Sequence, residues 1–214
     1  MTSEPGRFLT IEGIEGVGKS TQVARLAAHL SELGIPHVVT REPGGTPLAE
    51  TIREVVLRPR AEPLPPAAEL LLMFAARSVH LENHIEPALR TGKWVVCDRF
   101  TDATYAYQGA GRGMSEVPIR DLENLVQGAR RPDLTLLLDV PVAVGLERSR
   151  RRDAGRVRDR FEGERAEFFE RVRAGYLGRA RAEPGRIAVI DAALDMAQVT
   201  ARILEVLRIR TWIS

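Results

Sequence analysis

A chain of 214 residues, 44% hydrophobic and 28% charged, suits one globular domain with a substantial core. No apolar run nears the ~20 residues needed to span a bilayer, and the opening MTSEPGRF lacks the basic-then-apolar order of a secretory leader, so the expected location is cytoplasmic. A net charge of +2 argues weakly for nucleic-acid binding, and one cysteine, Cys97, excludes an internal disulfide framework or a multi-cysteine metal site.

Arg7 to Glu12 (RFLTIE) reads as a strand running into a glycine-rich loop. Val23, Leu26, Ala27, Leu30 and Leu33 then recur at helical spacing, and Gly34 closes that helix. His37 to Thr40 is a second strand. Leu48, Ala49, Ile52, Val55 and Val56 form an amphipathic helix ended by PRAEPLPP. Ala67 to Leu89 is the longest helical stretch, with Pro87 near its end. Trp94 to Cys97 is an apolar strand ending at Asp98, Glu116 to Val126 a helix, and Leu134 to Leu138 an apolar strand ending at Asp139. Helices flank an arginine-rich stretch, followed by the strand Ile187 to Ile190 and a last helix from about Asp195 to Leu207. Strands that are apolar throughout, alternating with helices, predict an α/β fold: one domain, 1–214, whose five-stranded parallel sheet is covered by helices in three layers.

Gly13 to Ser20, GIEGVGKS, fits G-x-x-x-x-G-K-[ST] between a strand and a helix, as a phosphate-binding loop requires. Gly13, Gly16 and Gly18 let successive N–H groups face phosphate oxygens, and the helix N-terminus adds positive charge. The expected ATP-binding set is Gly13, Ile14, Glu15, Gly16, Val17, Gly18, Lys19, Ser20 and Thr21. Lys19 reaches the β- and γ-phosphates, and Ser20 offers a hydroxyl to Mg²⁺. The D-x-x-G and N-K-x-D segments of a guanine-nucleotide switch do not occur.

A phosphotransferase also needs an acceptor pocket. Arg41 in TREPGGT follows the second strand, where ligands of parallel sheets bind. In LLMFAAR, Phe74 and Arg77 stand at i and i+3, placed to stack on a base and bond its edge, although Phe74 alone also reads as core packing. In VVCDRF, Asp98 and Arg99 emerge from a buried strand. Arg99 suits a phosphate, and Asp98 suits Mg²⁺ water or an acceptor; a structural ion pair is the other reading. Asp139 also ends an apolar strand. Asp98 is preferred as the magnesium-side acid because Pro141 places a turn just after Asp139.

FLTIEGIEGVGKST, TREPGGTPLAE, ELLLMFAAR, CDRFTDATYAYQGAGRG, RPDLTLLLD and DRFE, in that order, resemble the bacterial thymidylate kinases along essentially the whole chain. The resemblance implies a P-loop kinase fold with an Arg-rich lid, transfer of the γ-phosphoryl of MgATP to dTMP in dTTP synthesis, and a homodimer. It also implies that Phe74 stacks on thymine, Arg77 contacts the base edge, and Arg99, helped by Arg41, holds the acceptor phosphate. Thr104 and Gln108 would face the thymine, Tyr107 would lie beneath the deoxyribose, and Glu15 would sit near its 3′-hydroxyl. On spacing alone, Tyr107 and Gln108 read as a polar loop.

RSRRRDAGRVRDR, Arg148 to Arg160, holds seven arginines in thirteen residues. None of the variable loop positions Ile14, Glu15, Gly16 and Val17 is arginine, and the resemblance implies that a lid, about 148–162, supplies one in cis to the moving phosphoryl group. Arg152 fits best, with Arg156, Arg158 and Arg160 as alternatives. The others are expected to form solvated pairs with Glu147, Asp153, Asp159 and Glu162. Phe161 alone adjoins them as a stacking side chain, which disfavours nucleic acid as the partner.

Overall fold

The computed structural model describes residues 6–152, 160–161 and 164–213, with the side chain of Arg152 outside that set. Five parallel strands form one sheet: β1 Phe8–Glu12, β2 His37–Arg41, β3 Trp94–Asp98, β4 Leu134–Asp139 and β5 Ile187–Asp191, in spatial order β2-β3-β1-β4-β5. Each strand lies within a residue or two of where its apolar run predicts it. All five positions of β1 are buried, while the edge strands β2 and β5 expose Val39 and Val189. Continuous apolar runs are what strands covered on both faces require.

Helices α1 Lys19–Glu32, α2 Pro47–Leu57, α3 Pro66–His80, α4 Glu86–Arg90, α5 Thr101–Thr104, α6 Glu116–Gln127, α7 Val142–Arg152, α8 Ala166–Ala182 and α9 Met196–Ile209 supply the covering layers. The stretch expected as one helix from Ala67 to Leu89 runs on continuously, but a π-type turn, Leu81–Ile85, joins α3 to α4. Pro87 stands in the first turn of α4, where its missing N–H leaves few helical bonds unmade.

A second π-type turn, Tyr105–Gly111, continues α5 through a region whose spacing suggested a polar loop. Its glycines and aromatics are weak helix formers, so tertiary packing holds it. Gly175 on α8 lets the two backbones meet, since a Cβ there would stand 2.7 Å from Ala110 Cβ. Beneath it, buried Asp102 accepts from Arg186 at 2.7 and 2.8 Å and from Thr135 Oγ1 at 3.0 Å, which holds its carboxyl below the usual range despite burial.

The sheet order reverses direction at β1, between β3 and β4, and ligands of open α/β sheets bind beyond the strand ends at such a point. Register aligns Ile11 and Arg41 with Asp98, so Glu12, Arg41 and Asp98 reach one edge of the sheet together.

Candidate active site

The loop between β1 and α1 borders a cavity of about 350 Å³. Gly16 and Gly18 have φ of 72° and 93°, left-handed values that side chains with a Cβ rarely adopt, and Gly18 caps α1 so that the free N–H groups of the first turn face the cavity. Glu15, Gly16, Gly18, Lys19, Ser20 and Thr21 line this end.

Lys19 Nζ donates to the carbonyls of Gly13 and Ile14, at 3.1 and 2.8 Å. Burial lowers its pKa to about 8, and the neighbouring Arg99 cation adds to the effect. Two closely placed, half-buried cations favour an anion between them. Arg99 has a φ of 71°, and its guanidinium reaches Gly13 O (3.0 Å), Tyr176 Oη (3.1 Å) and Glu15 Oε1 (2.9 Å) while lying 4.8 Å over the Tyr107 ring. The Tyr107 hydroxyl donates to Glu15 at 2.8 Å. Arg99, Glu15 and Tyr107 therefore form one preset unit.

The two candidate acids differ sharply. Asp139 is held by Arg173 through two bonds of 2.7 and 2.8 Å. Asp98 lines the cavity, and its buried Oδ1 has no hydrogen-bond partner among the described residues. Arg41 also lines the cavity, pairing with Glu50 at 2.9 Å.

At the far end Gln108, Tyr107 and Ala103 form one wall, but the expected Phe74 is absent from the lining. Its ring, 2% exposed, packs with Leu70, Tyr105 and Ile119, and Met73 lines the cavity instead. Consecutive helical residues point about 100° apart, so a shift of one position moves a side chain from cavity to core. Phe74 supports the site from behind: the Arg77 guanidinium lies 4.8 Å over its ring.

Arg77 and Thr104 are buried and likewise lie behind the lining; Arg77 Nε donates to Glu42 (2.7 Å) and Nη2 to Thr104 Oγ1 (3.0 Å). Arg77 Nη1 has no partner among the described residues. Glu42 is also bonded by His80 Nδ1 at 3.0 Å, and His80 Nε2 meets Thr40 Oγ1 at 2.7 Å. Gln108, 1% exposed, donates from Nε2 to Glu69 at 2.6 Å, leaving its Oε1 buried and unpartnered among the described residues.

Sequence reasoning passed over Glu12, Glu42, Glu69, Met73, His80 and Tyr176. Glu69, Arg77 and His80 recur at i, i+8 and i+11, on one face with Met73, which places three polar groups down a face of an otherwise apolar helix; that stripe is the available signal. Glu12 accepts from Phe100 N and the Tyr176 hydroxyl, both at 2.7 Å, and complete burial, with the Asp102 charge second, pushes its pKa up to about 8.

In the arginine stretch, Arg148 lines the cavity and donates to Ala192 O at 2.8 Å. Arg150 and Arg151 pair with Glu147 at 3.9 and 2.8 Å, the surface pairing that the sequence suggests. Arg160 bonds Glu69 and donates from Nε to Val56 O at 3.2 Å, while Phe161 lines the cavity with its ring centroid 5.6 Å from that of Tyr107. The side chain of Arg152, together with Arg156 and Arg158 and the acids Asp153, Asp159 and Glu162, lies outside the described residues.

A family profile described as Thymidylate kinase matches residues 11–203. A thymidylate kinase of Chromohalobacter salexigens is 58% identical over 211 residues, covering 97% of this chain and 99% of that protein. One of Alkalilimnicola ehrlichii is 54% identical, covering 98% and 96%. The crystal structure of thymidylate kinase from Ehrlichia chaffeensis superposes with a TM-score of 0.76 at 38% identity, covering 95% of this chain and 99% of that one.

Proposed function

The chain belongs to the thymidylate kinase family, and from that premise we propose how its residues divide the work. The activity is ATP-dependent phosphorylation of dTMP to dTDP, with ADP as the second product. The N–H groups of the Gly13–Thr21 loop cradle the donor phosphates, and Lys19 leaves its loop carbonyls to reach the β- and γ-phosphates.

Ser20 and Asp98 would hold Mg²⁺. Two oxygen donors suit a cation that completes its shell with phosphate oxygens and water, and the unpartnered Asp98 Oδ1 supports this assignment over the paired Asp139. When bound there, the ion would supply positive charge against the charge that develops on the donor phosphates. Arg99, with Arg41, takes the acceptor phosphate; Glu15 faces the 3′-hydroxyl and Tyr107 lies beneath the sugar, where its bulk disfavours a 2′-hydroxyl. Arg152 brings a lid cation to the moving phosphoryl group.

One observation carries the acceptor assignment. Gln108, in the cavity lining, presents an unpartnered buried acceptor, and Arg77, behind that lining, an unpartnered buried donor, both bonded into the helical segment Thr101–Gly111 and its neighbours. Thymine offers the complementary pair, a carbonyl oxygen at C4 and a proton on N3, and Thr104 holds the donor in place. Met73 packs on the base face and Phe74 stiffens Arg77 from behind. Leaving such buried groups unmatched costs binding, so a base with the reversed pattern is rejected.

The enzyme works as a cytoplasmic homodimer. Exposed apolar side chains on the adjoining helices α3 and α6, Leu71, Val117 and Leu125, support the dimer, and no helix among the described residues is long and apolar enough to cross a membrane. Initial rates of ADP formation with MgATP and dTMP, dUMP, dCMP or dGMP test the acceptor assignment. The expected order is dTMP first and dUMP second, with dCMP lower than dTMP by at least ~10²-fold. Faster turnover of dCMP or dGMP than of dTMP would overturn it.

A further inference from the structure

Gln108 can read N3 of a pyrimidine in two ways, because rotating its amide by half a turn exchanges a carbonyl oxygen for an NH₂ group at nearly the same place. One orientation accepts the N3 proton of thymine. The other donates to the N3 lone pair of cytosine. Discrimination at this position therefore depends on what stops the amide from turning, and Gln108 cannot supply that by itself.

We infer that Glu69 is a positioning residue for base discrimination, locking the Gln108 amide so that only its carbonyl oxygen faces the acceptor. Glu69 is fully buried on α3, one turn before Met73. One of its oxygens accepts from Gln108 Nε2 at 2.6 Å; the other accepts from Arg160 Nη2 and lies 3.5 Å from Arg112 Nε. With two guanidinium groups on its far side, this carboxylate faces Gln108 as an acceptor. A turned Gln108 would set its carbonyl oxygen against those oxygens in a dry site, where two facing acceptors repel. The unpartnered Oε1 of Gln108, in a side chain that lines the cavity, is the second mark of this arrangement.

The inference rests on the acceptor base entering between Met73 and Gln108, as in the function proposed above. A glutamine at 69 keeps the size and a hydrogen bond but can present either an oxygen or an NH₂ group, so it frees Gln108 to turn. An aspartate at 69 keeps an acceptor-only group on a shorter stem.

The test compares kcat and KM for dTMP and dCMP in the wild type, Glu69→Gln and Glu69→Asp, with thermal unfolding of each. In Glu69→Gln the ratio of kcat/KM for dTMP to that for dCMP should fall about tenfold, through KM rather than kcat, because a neutral partner no longer selects one amide orientation. Glu69→Asp should keep the wild-type ratio even if both substrates bind less well. An unchanged ratio in a folded Glu69→Gln enzyme would overturn the inference while leaving the dTMP assignment intact. So would an equal fall in both variants, which would mark Glu69 as a structural brace. A wild type with no preference for dTMP over dCMP would overturn the base-pocket assignment along with it.

Discussion

At the end of the cavity proposed for the donor phosphates the cradle is built of backbone: a loop with left-handed glycines and the N-terminus of α1, with one lysine bonded to loop carbonyls. At the base end the contacts come from side chains, with Arg77 held by Glu42 and Thr104, Glu42 by His80, and Gln108 by Glu69. The first design needs contiguous sequence, because a loop is made by neighbours. The second draws on residues 42, 69, 77, 80, 104 and 108, which only the fold brings together. A cradle of N–H groups accepts any polyphosphate, whereas a side-chain lattice with one free donor and one free acceptor can distinguish bases.

Removing the charge at the phosphate end should have the largest effect on turnover. Lys19→Met is expected to lower kcat by ~10³-fold or more, because its contact strengthens as charge moves to the transferring group. The two strand-end acids provide a smaller contrast. Asp98→Asn should lower kcat by ~10²-fold and raise the Mg²⁺ requirement, whereas Asp139→Asn, which disturbs an ion pair with Arg173, should leave kcat within about threefold. Equal losses in steady-state rates would erase the distinction drawn between them.

At the base end, adjacent residues should separate binding from stability. Met73→Ala is expected to raise KM for dTMP by about tenfold through lost contact with the base. Phe74→Ala should cost about 3 kcal/mol of unfolding free energy in denaturant titration, as expected for a cavity left in a packed cluster. If Phe74→Ala raised KM while leaving stability unchanged, Phe74 rather than Met73 would face the base.

The last contrast concerns stability rather than turnover, at the buried Glu12. Its pKa in the folded protein, about 8, lies above the ordinary 4.5, so the folded chain holds a proton that the unfolded chain has released between those values. This contribution to stability is fully present below pH 4.5 and is lost as pH rises through 8. Measured by denaturant titration across that range, the wild type should lose stability relative to Glu12→Gln as pH rises. A difference that stays constant would place the ionised form in the native state.

The sheet and the phosphate loop are legible in the sequence because each is local: an apolar run predicts a buried strand, and GIEGVGKS carries its own geometry. The helical segment Thr101–Gly111 is not, since its weak helix formers are held by α8 packed across Gly175. Phe74 illustrates a finer limit. Helical spacing places both Met73 and Phe74 within a turn of Arg77, and chemistry favours the aromatic residue for stacking on a base. The choice is made by Leu70, Tyr105 and Ile119, which surround Phe74 and leave Met73 facing the cavity. The burial of Glu69 depends on Arg112, Arg160 and Gln108, all from other elements.

The division between a backbone-built phosphate end and a side-chain-built base end is tested most directly by titrating dTMP, without ATP, into the wild type and Lys19→Met and measuring heat of binding. The two Kd values should agree within about threefold, because Lys19 acts on the donor and the transition state rather than on the acceptor ground state. A loss of dTMP affinity in Lys19→Met as large as its loss of kcat would show that the two ends act as one binding unit, and would contradict the account.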